Sequence, residues 1–192
     1  MYCKDCLSVD PVFVCEQAAE NGHLECLKYA HESGYQWNEY TCINASRGHL
    51  ECLIYARENG CPWNEYTCIN ASSGHLECLI YARENGCPWN ERVCTYAINY
   101  IECLVYANEN GCKKSKQTFY KAAKEGNLEY IIYLHKNGYP WDARVCYYLA
   151  DKGSLECLKY AHENGCPWDA RTCYYASCSG NIECLIYAHE NG

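Results

Sequence analysis

The reading of the fold turns on residues 74–90, GHLECLIYARENGCPWN, because most of the chain restates them. Their Leu-Glu centre returns as Leu24-Glu25, Leu50-Glu51, Leu76-Glu77, Ile101-Glu102, Leu128-Glu129, Leu155-Glu156 and Ile182-Glu183. The steps between copies are 26, 26, 25, 27, 27 and 27 residues. A period in that range predicts a solenoid, in which one supersecondary unit stacks on its neighbours and no single globular core forms.

Each copy reads as an inner helix, a glycine turn and an outer helix. The outer helix opens at His23, His49, His75, Tyr100, Asn127, Ser154 or Asn181, a slot whose Asn and Ser are strong N-caps. A Glu two places later suits the positive end of the helix dipole. Cys-Leu-x-Tyr-Ala follows in most copies, and Gly34, Gly60, Gly86, Gly111, Gly138, Gly165 and Gly192 stand where a left-handed residue ends a helix. Pro62, Pro88, Pro140 and Pro167 then block continuation. The inner helix has cap-type residues in register at Asn38, Asn64, Asn90, Ser115, Asp142 and Asp169, with Asp10 and Pro11 serving the first copy. Its buried face is predicted at Cys15, Cys42, Cys68, Cys94, Phe119, Cys146 and Cys173, with Ala or Leu three residues on. Helices of about 8–10 residues do not persist alone, so stacking must hold them in an elongated array. Trp37, Trp63, Trp89, Trp141 and Trp168 are expected as turn anchors between repeats, the alternative being an exposed binding stripe.

Composition narrows the function classes. Of 192 residues, 49% are hydrophobic and 21% charged, as in folded chains. A net charge of −8 argues against nucleic acid and anionic membrane as partners. No apolar run nears the ~20 residues that span a bilayer, and MYCKDCLSVDP has no secretory h-region, so an intracellular, cytoplasmic location is expected. The 19 cysteines recur at core phases, which reads as reduced Cys used as a small hydrophobe.

The G-H-L-E opening, core pair and N-G closing turn of residues 74–90 resemble the second helix and following turn of an ankyrin repeat, G-H-x-x-x-V-x-x-L-L-x-x-G-A. The resemblance covers residues 12–192. Tyr66-Thr67-Cys68-Ile69 stands where the family has T-P-L-H, and the unit is about six residues short of 33. The missing residues are those of the β-hairpin finger. The compact Cys-Pro-Trp form is similar to ankyrin-type repeats of giant DNA viruses of amoebae. The resemblance implies an all-α, ankyrin-like helix-turn-helix solenoid with fingers shortened or absent. It also implies a non-enzymatic protein-binding scaffold whose inner helices line the concave side.

Comparing copies locates candidate partner-binding positions. Two adjacent inner-helix positions vary while the framework does not: Glu16, Ile43, Ile69, Thr95, Tyr120, Tyr147, Tyr174, and next to them Gln17, Asn44, Asn70, Tyr96, Lys121, Tyr148, Tyr175. Freedom to vary is read as freedom from stacking, and Tyr offers large contact area at low entropy cost. The fourth copy, about residues 99–125, begins Asn99-Tyr100, is one residue short, and replaces Pro-Trp by Lys113-Lys114. With Lys116, Lys121 and Lys124 it forms a basic patch, read either as a solvated face or as a dock for an acidic partner segment. Residues 1–9 are expected as a partial or capping unit and 10–192 as one solenoid of about seven repeats, monomeric. The chain stops where the next Cys-Pro-Trp would begin, which leaves a segment of a larger repeat protein as an alternative.

Other chemistry finds little footing. His23/Cys26, His49/Cys52 and His75/Cys78 have ligand-like spacing, but the same slots hold Tyr100, Asn127, Ser154 and Asn181, which favours a cap over zinc. Cys3 and Cys6 are a lone half-site. Cys61, Cys87, Cys112 and Cys166, after the turn, are expected to form a partly exposed, oxidisable ladder. A thiol-rich metal-binding or redox-responsive protein is thus the second function class. No nucleophile–base set and no phosphate loop stands apart from the repeat, so no enzyme and no cofactor is expected.

Overall fold

The computed structural model describes residues 13–192, and its regular elements there are fourteen α-helices and no strand. The Asp10 cap, Pro11 and the segment 1–9 with Cys3 and Cys6 lie outside the described residues. The chain divides into two compact units, Met1–Lys113 and Lys114–Gly192. In the first, inner helices α1 (Val14–Glu20), α3 (Glu39–Ala45), α5 (Glu65–Ala71) and α7 (Arg92–Tyr96) alternate with outer helices α2 (Leu24–Glu32), α4 (Leu50–Glu58), α6 (Leu76–Glu84) and α8 (Ile101–Glu109). In the second, inner helices α9 (Lys116–Glu125), α11 (Ala143–Lys152) and α13 (Ala170–Cys178) alternate with α10 (Leu128–Lys136), α12 (Leu155–Glu163) and α14 (Ile182–Asn191). Within each unit, inner helices pack on inner and outer on outer. Each is therefore an all-α stack of helix-turn-helix repeats without β-hairpin fingers.

The turns follow from local chemistry. After α4, Gly60 adopts φ 85°, its N–H reaches Arg57 O at 3.1 Å and the Cys61 N–H reaches Ala56 O at 2.9 Å. That double closure satisfies carbonyls the helix end would otherwise orphan. The Asn before the glycine closes a third: Asn59 Nδ2 donates to Tyr55 O at 2.9 Å, and Asn85, Asn110, Asn137 and Asn164 do the same. At the inner-helix starts, side chains of Asn38, Asn64, Asp142 and Asp169 accept the N–H two residues on. Ser115 does not; its Oγ lies 3.5 Å from Thr118 Oγ1 instead.

The core is small and repetitive. Leu53, Leu79, Leu104, Leu134 and Leu158 are fully buried, each worth about 1.5–3 kcal/mol of burial. Cys15, Cys42, Cys68, Cys94, Phe119 and Cys146 are sealed from solvent beside Ala residues that let helices approach closely, while Cys173 is half-buried. At the entry to the short fourth copy, α7 gives way to a 3₁₀ turn, Ala97–Asn99. A 3₁₀ segment rises about 2.0 Å per residue against 1.5 Å in an α-helix, so the chain reaches α8 with one residue fewer and no left-handed glycine.

The slot before each outer helix holds the N-cap residue as expected, but its side chain works differently. Only Asn127 caps its own helix, accepting from the Glu129 and Tyr130 N–H groups. His49 Nε2 sits 3.0 Å from Glu20 O, and Asn181 Nδ2 donates to Ala150 O and Asp151 O at 3.0 Å each. These side chains serve the end of the preceding repeat's inner helix, α1 for His49 and α11 for Asn181. The arrangement also explains one glycine twice over. Gly48 has φ 110°, and a Cβ there would lie 2.9 Å from Nδ1 of His75.

Each Trp is a half-buried joint between successive outer helices. Trp37 stacks on His31 at 3.7 Å and meets Tyr55 edge-on, while Arg57 covers Trp63 and Arg83 covers Trp89, both at 4.4 Å. Trp141 and Trp168 repeat the histidine version with His135 and His162. They are turn anchors rather than an exposed stripe.

Candidate functional site

With the outer helices and turns committed to stacking, the inner-helix surface is where copies differ. Of its two variable positions, the first is a stacking position. Ile43, Ile69, Tyr120 and Tyr147 are buried at 7%, 2%, 5% and 5% exposure, so variability there is not freedom. The Tyr120 hydroxyl donates to Asp142 Oδ2 at 2.7 Å, and Tyr147 donates to Asp169 Oδ2 at 2.7 Å. In the first unit the same tie runs with reversed polarity, Asn38 Nδ2 donating to Glu16 Oε1 at 2.9 Å. Slot and cap therefore vary as matched partners, which comparing single positions misses.

The two aspartates become clamps. Asp142 caps α11, accepts from Tyr120 and pairs with Arg144 at 3.0 Å and Lys116 at 3.1 Å. Burial opposes its ionisation, but hydrogen bonds from Arg144, Tyr120 and Lys116 outweigh it and hold the carboxyl well below the usual range. Asp169 is held low chiefly by Arg171, then by Tyr147. The guanidinium of Arg144 lies 4.6 Å over the Tyr120 ring, and that of Arg171 lies 4.9 Å over Tyr147. Burial first, then the carboxylate, pushes both phenols up to about 12.

The second variable position is accessible. Tyr175 is exposed and stacks on Tyr147 at 5.6 Å, and half-buried Tyr148 carries Lys124 Nζ at 4.4 Å over its ring. Tyr174, although at the first position, is 62% exposed and meets Tyr175 edge-on. In the first unit Asn44 and Asn70 line a cleft with Tyr40, Arg47 and Tyr66, where Arg47 Nε donates to Asn70 Oδ1 at 3.2 Å. Tyr96 is exposed beside Arg92.

The lysine patch is partly engaged within the fold. Lys114 Nζ donates to Asn137 O at 2.6 Å, Lys116 pairs with Asp142, and Lys124 covers Tyr148. Lys121 is half-buried, and Lys113, in the first unit, is exposed.

The cysteines after the turn are not a partly exposed ladder: Cys61, Cys87, Cys112 and Cys166 are 0%, 0%, 4% and 3% exposed. Each thiol donates to the carbonyl of the preceding repeat's cap residue, as Cys61 Sγ does to Asn38 O at 3.2 Å. Inner-helix Cys42 hydrogen-bonds Cys61, which together with burial pushes its ionisation far up; burial first, with the adjacent Glu51, Glu77 and Glu156 adding to it, raises Cys52, Cys78 and Cys157 to about 11. Such thiols are poor nucleophiles. Among the described residues no three His, Cys, Asp or Glu converge as metal ligands, and no helix is long and apolar enough to cross a membrane.

No protein-family model and no curated protein matches the chain. Among solved structures it is similar to the crystal structure of the human ASB11 ankyrin repeat domain. The two share 19% identity over 93% of this chain and 83% of that chain, with a TM-score of 0.48.

Proposed function

We propose that this chain is a non-enzymatic, ankyrin-like protein-interaction scaffold, and that its second unit binds an acidic segment of a partner protein across the inner helices. The observation that carries this reading is the accessible row of Tyr148, Tyr175 and Tyr174, flanked by Lys121, Lys124, Arg144 and Arg171. Phenols packed on neighbouring rings supply contact area at low entropy cost, and the cations supply attraction for carboxylates. The side chain of Arg171 is 67% exposed, so it can reach a partner carboxylate while still holding Asp169.

The test uses the tagged chain as bait beside a Tyr148→Ala/Tyr175→Ala bait of matched melting temperature. A partner captured by the first and released by the second supports the reading. Equal capture by both overturns this placement of the surface.

A further inference from the structure

Between α6 and α8 the outer surface carries an apolar groove lined by Leu76, Ile80, Ile101 and Val105, with Glu102 and Glu109. Leu50 and Ile54 on α4 stand at the same helical phase one repeat earlier and are likewise half-buried, so the groove extends as a stripe over three outer helices. Each stripe segment runs Leu or Ile, then Ile or Val four residues on, then Glu four further: Glu58, Glu84 and Glu109. A second row, Glu51, Glu77 and Glu102, stands at the opposite helix ends, and all six carboxylates are exposed.

The first-turn row has a structural reason, the positive end of the helix dipole. The last-turn row has the opposite one, since a carboxylate at a helix C-terminus is disfavoured. None of the six forms a salt bridge among the described residues. The unit that carries them has 15 acidic against 7 basic residues, which disfavours a second copy of this surface as occupant. In the first copy Lys28 replaces the central Ile and bonds Glu25 at 2.8 Å, which ends the stripe on that side.

From the groove and its charged ends we infer a second docking surface, on the outer face of α4, α6 and α8, for a cationic amphipathic helix of a partner protein. Apolar side chains of that helix would fill the stripe and its Lys and Arg would meet the two Glu rows. This surface is independent of the inner-helix face and asks for the opposite partner charge.

The test is fluorescence anisotropy with a synthetic Lys/Leu amphipathic helical peptide against the full chain. The expected result is binding that weakens with salt and falls at least about tenfold, roughly 1.4 kcal/mol, in Ile54→Gln/Ile80→Gln. Lys28 shows that a long polar side chain fits this position, and circular dichroism confirms the fold. Glu84→Gln/Glu109→Gln should weaken binding and flatten its salt dependence. Absence of binding, unchanged binding to the Ile54→Gln/Ile80→Gln chain, or equal binding of a Lys/Leu peptide with no apolar face overturns the inference. None of these outcomes bears on the inner-helix reading.

Discussion

Inner helices run five to seven residues in the first unit, where the repeat steps are 25 or 26 residues, and nine or ten in the second, where they are 27. In the first, Ser46 and Ser72 turn their hydroxyls onto Ile43 O and Ile69 O at 2.7 Å, a competitor to the helical ladder. In the second, Ala123-Lys124-Glu125 and Ala150-Asp151-Lys152 carry the helix on to a left-handed glycine. Caps are Asn38, Asn64 and Asn90 in the first unit and Ser115, Asp142 and Asp169 in the second, and the slot that is Glu, Ile, Ile and Thr in the first is Tyr throughout the second. The second unit has nine basic and nine acidic residues, so the whole net charge of −8 falls on the first. Both units keep the buried Leu and Ala, the turn glycines and the Trp joints, while net charge and the aromatic content of the inner-helix surface diverge.

The largest effects should not distinguish the units. Leu79→Ala and Leu158→Ala each remove a fully buried side chain and should cost about 2–5 kcal/mol by urea unfolding. A near-neutral result in either would break the claim of a shared core. Next come the glycines. Gly48→Ala meets both the left-handed penalty, about 1–2 kcal/mol, and the His75 ring, whereas Gly60→Ala meets open space. Gly48→Ala should therefore lower the melting temperature more, and equal losses would remove the packing part of the argument.

Smaller effects should separate the units. Tyr120→Phe should cost about 1 kcal/mol through its lost bond to Asp142, whereas Ile69 in the same slot has no such bond to lose. The aspartate caps also titrate and the asparagine caps do not. Both carboxyls are held below their unfolded value, so their stabilisation is complete above about pH 5. It is lost as pH falls from there toward the folded value. Hydrogen exchange at descending pH should show the second unit losing protection, a loss that Asp142→Asn/Asp169→Asn reduces. An unaltered slope in that variant would assign it to other carboxylates. Smallest of all, Cys178 is the exposed thiol among the described cysteines. Cys178→Ser should abolish the fast native thiol reaction from that unit at no measurable stability cost, as counted by mass spectrometry after brief alkylation.

Much of this was legible in the sequence wherever the chemistry is local. The period, the glycine stops and the Asn and Asp caps each need only a few neighbouring residues. What failed involved partners a whole repeat away. His49 and Asn181 read as caps of their own helices but reach the inner helix of the preceding repeat. Tyr120 and Tyr147 read as free because they vary, yet each is matched to a cap 22 residues on. The exchange of Lys28 for Ile54, Ile80 and Val105 is plain in the sequence, but only packing shows Ile80 and Val105 sharing a groove.

The most direct test of divergent surfaces on a shared framework is site-specific photo-crosslinking in cells, with the photoreactive residue at Tyr175 or at exposed Tyr40 of the first unit. A partner protein joined through position 175 and absent at position 40 is the predicted result. Crosslinks to the same partner at position 40 alone would contradict the assignment of binding to the second unit.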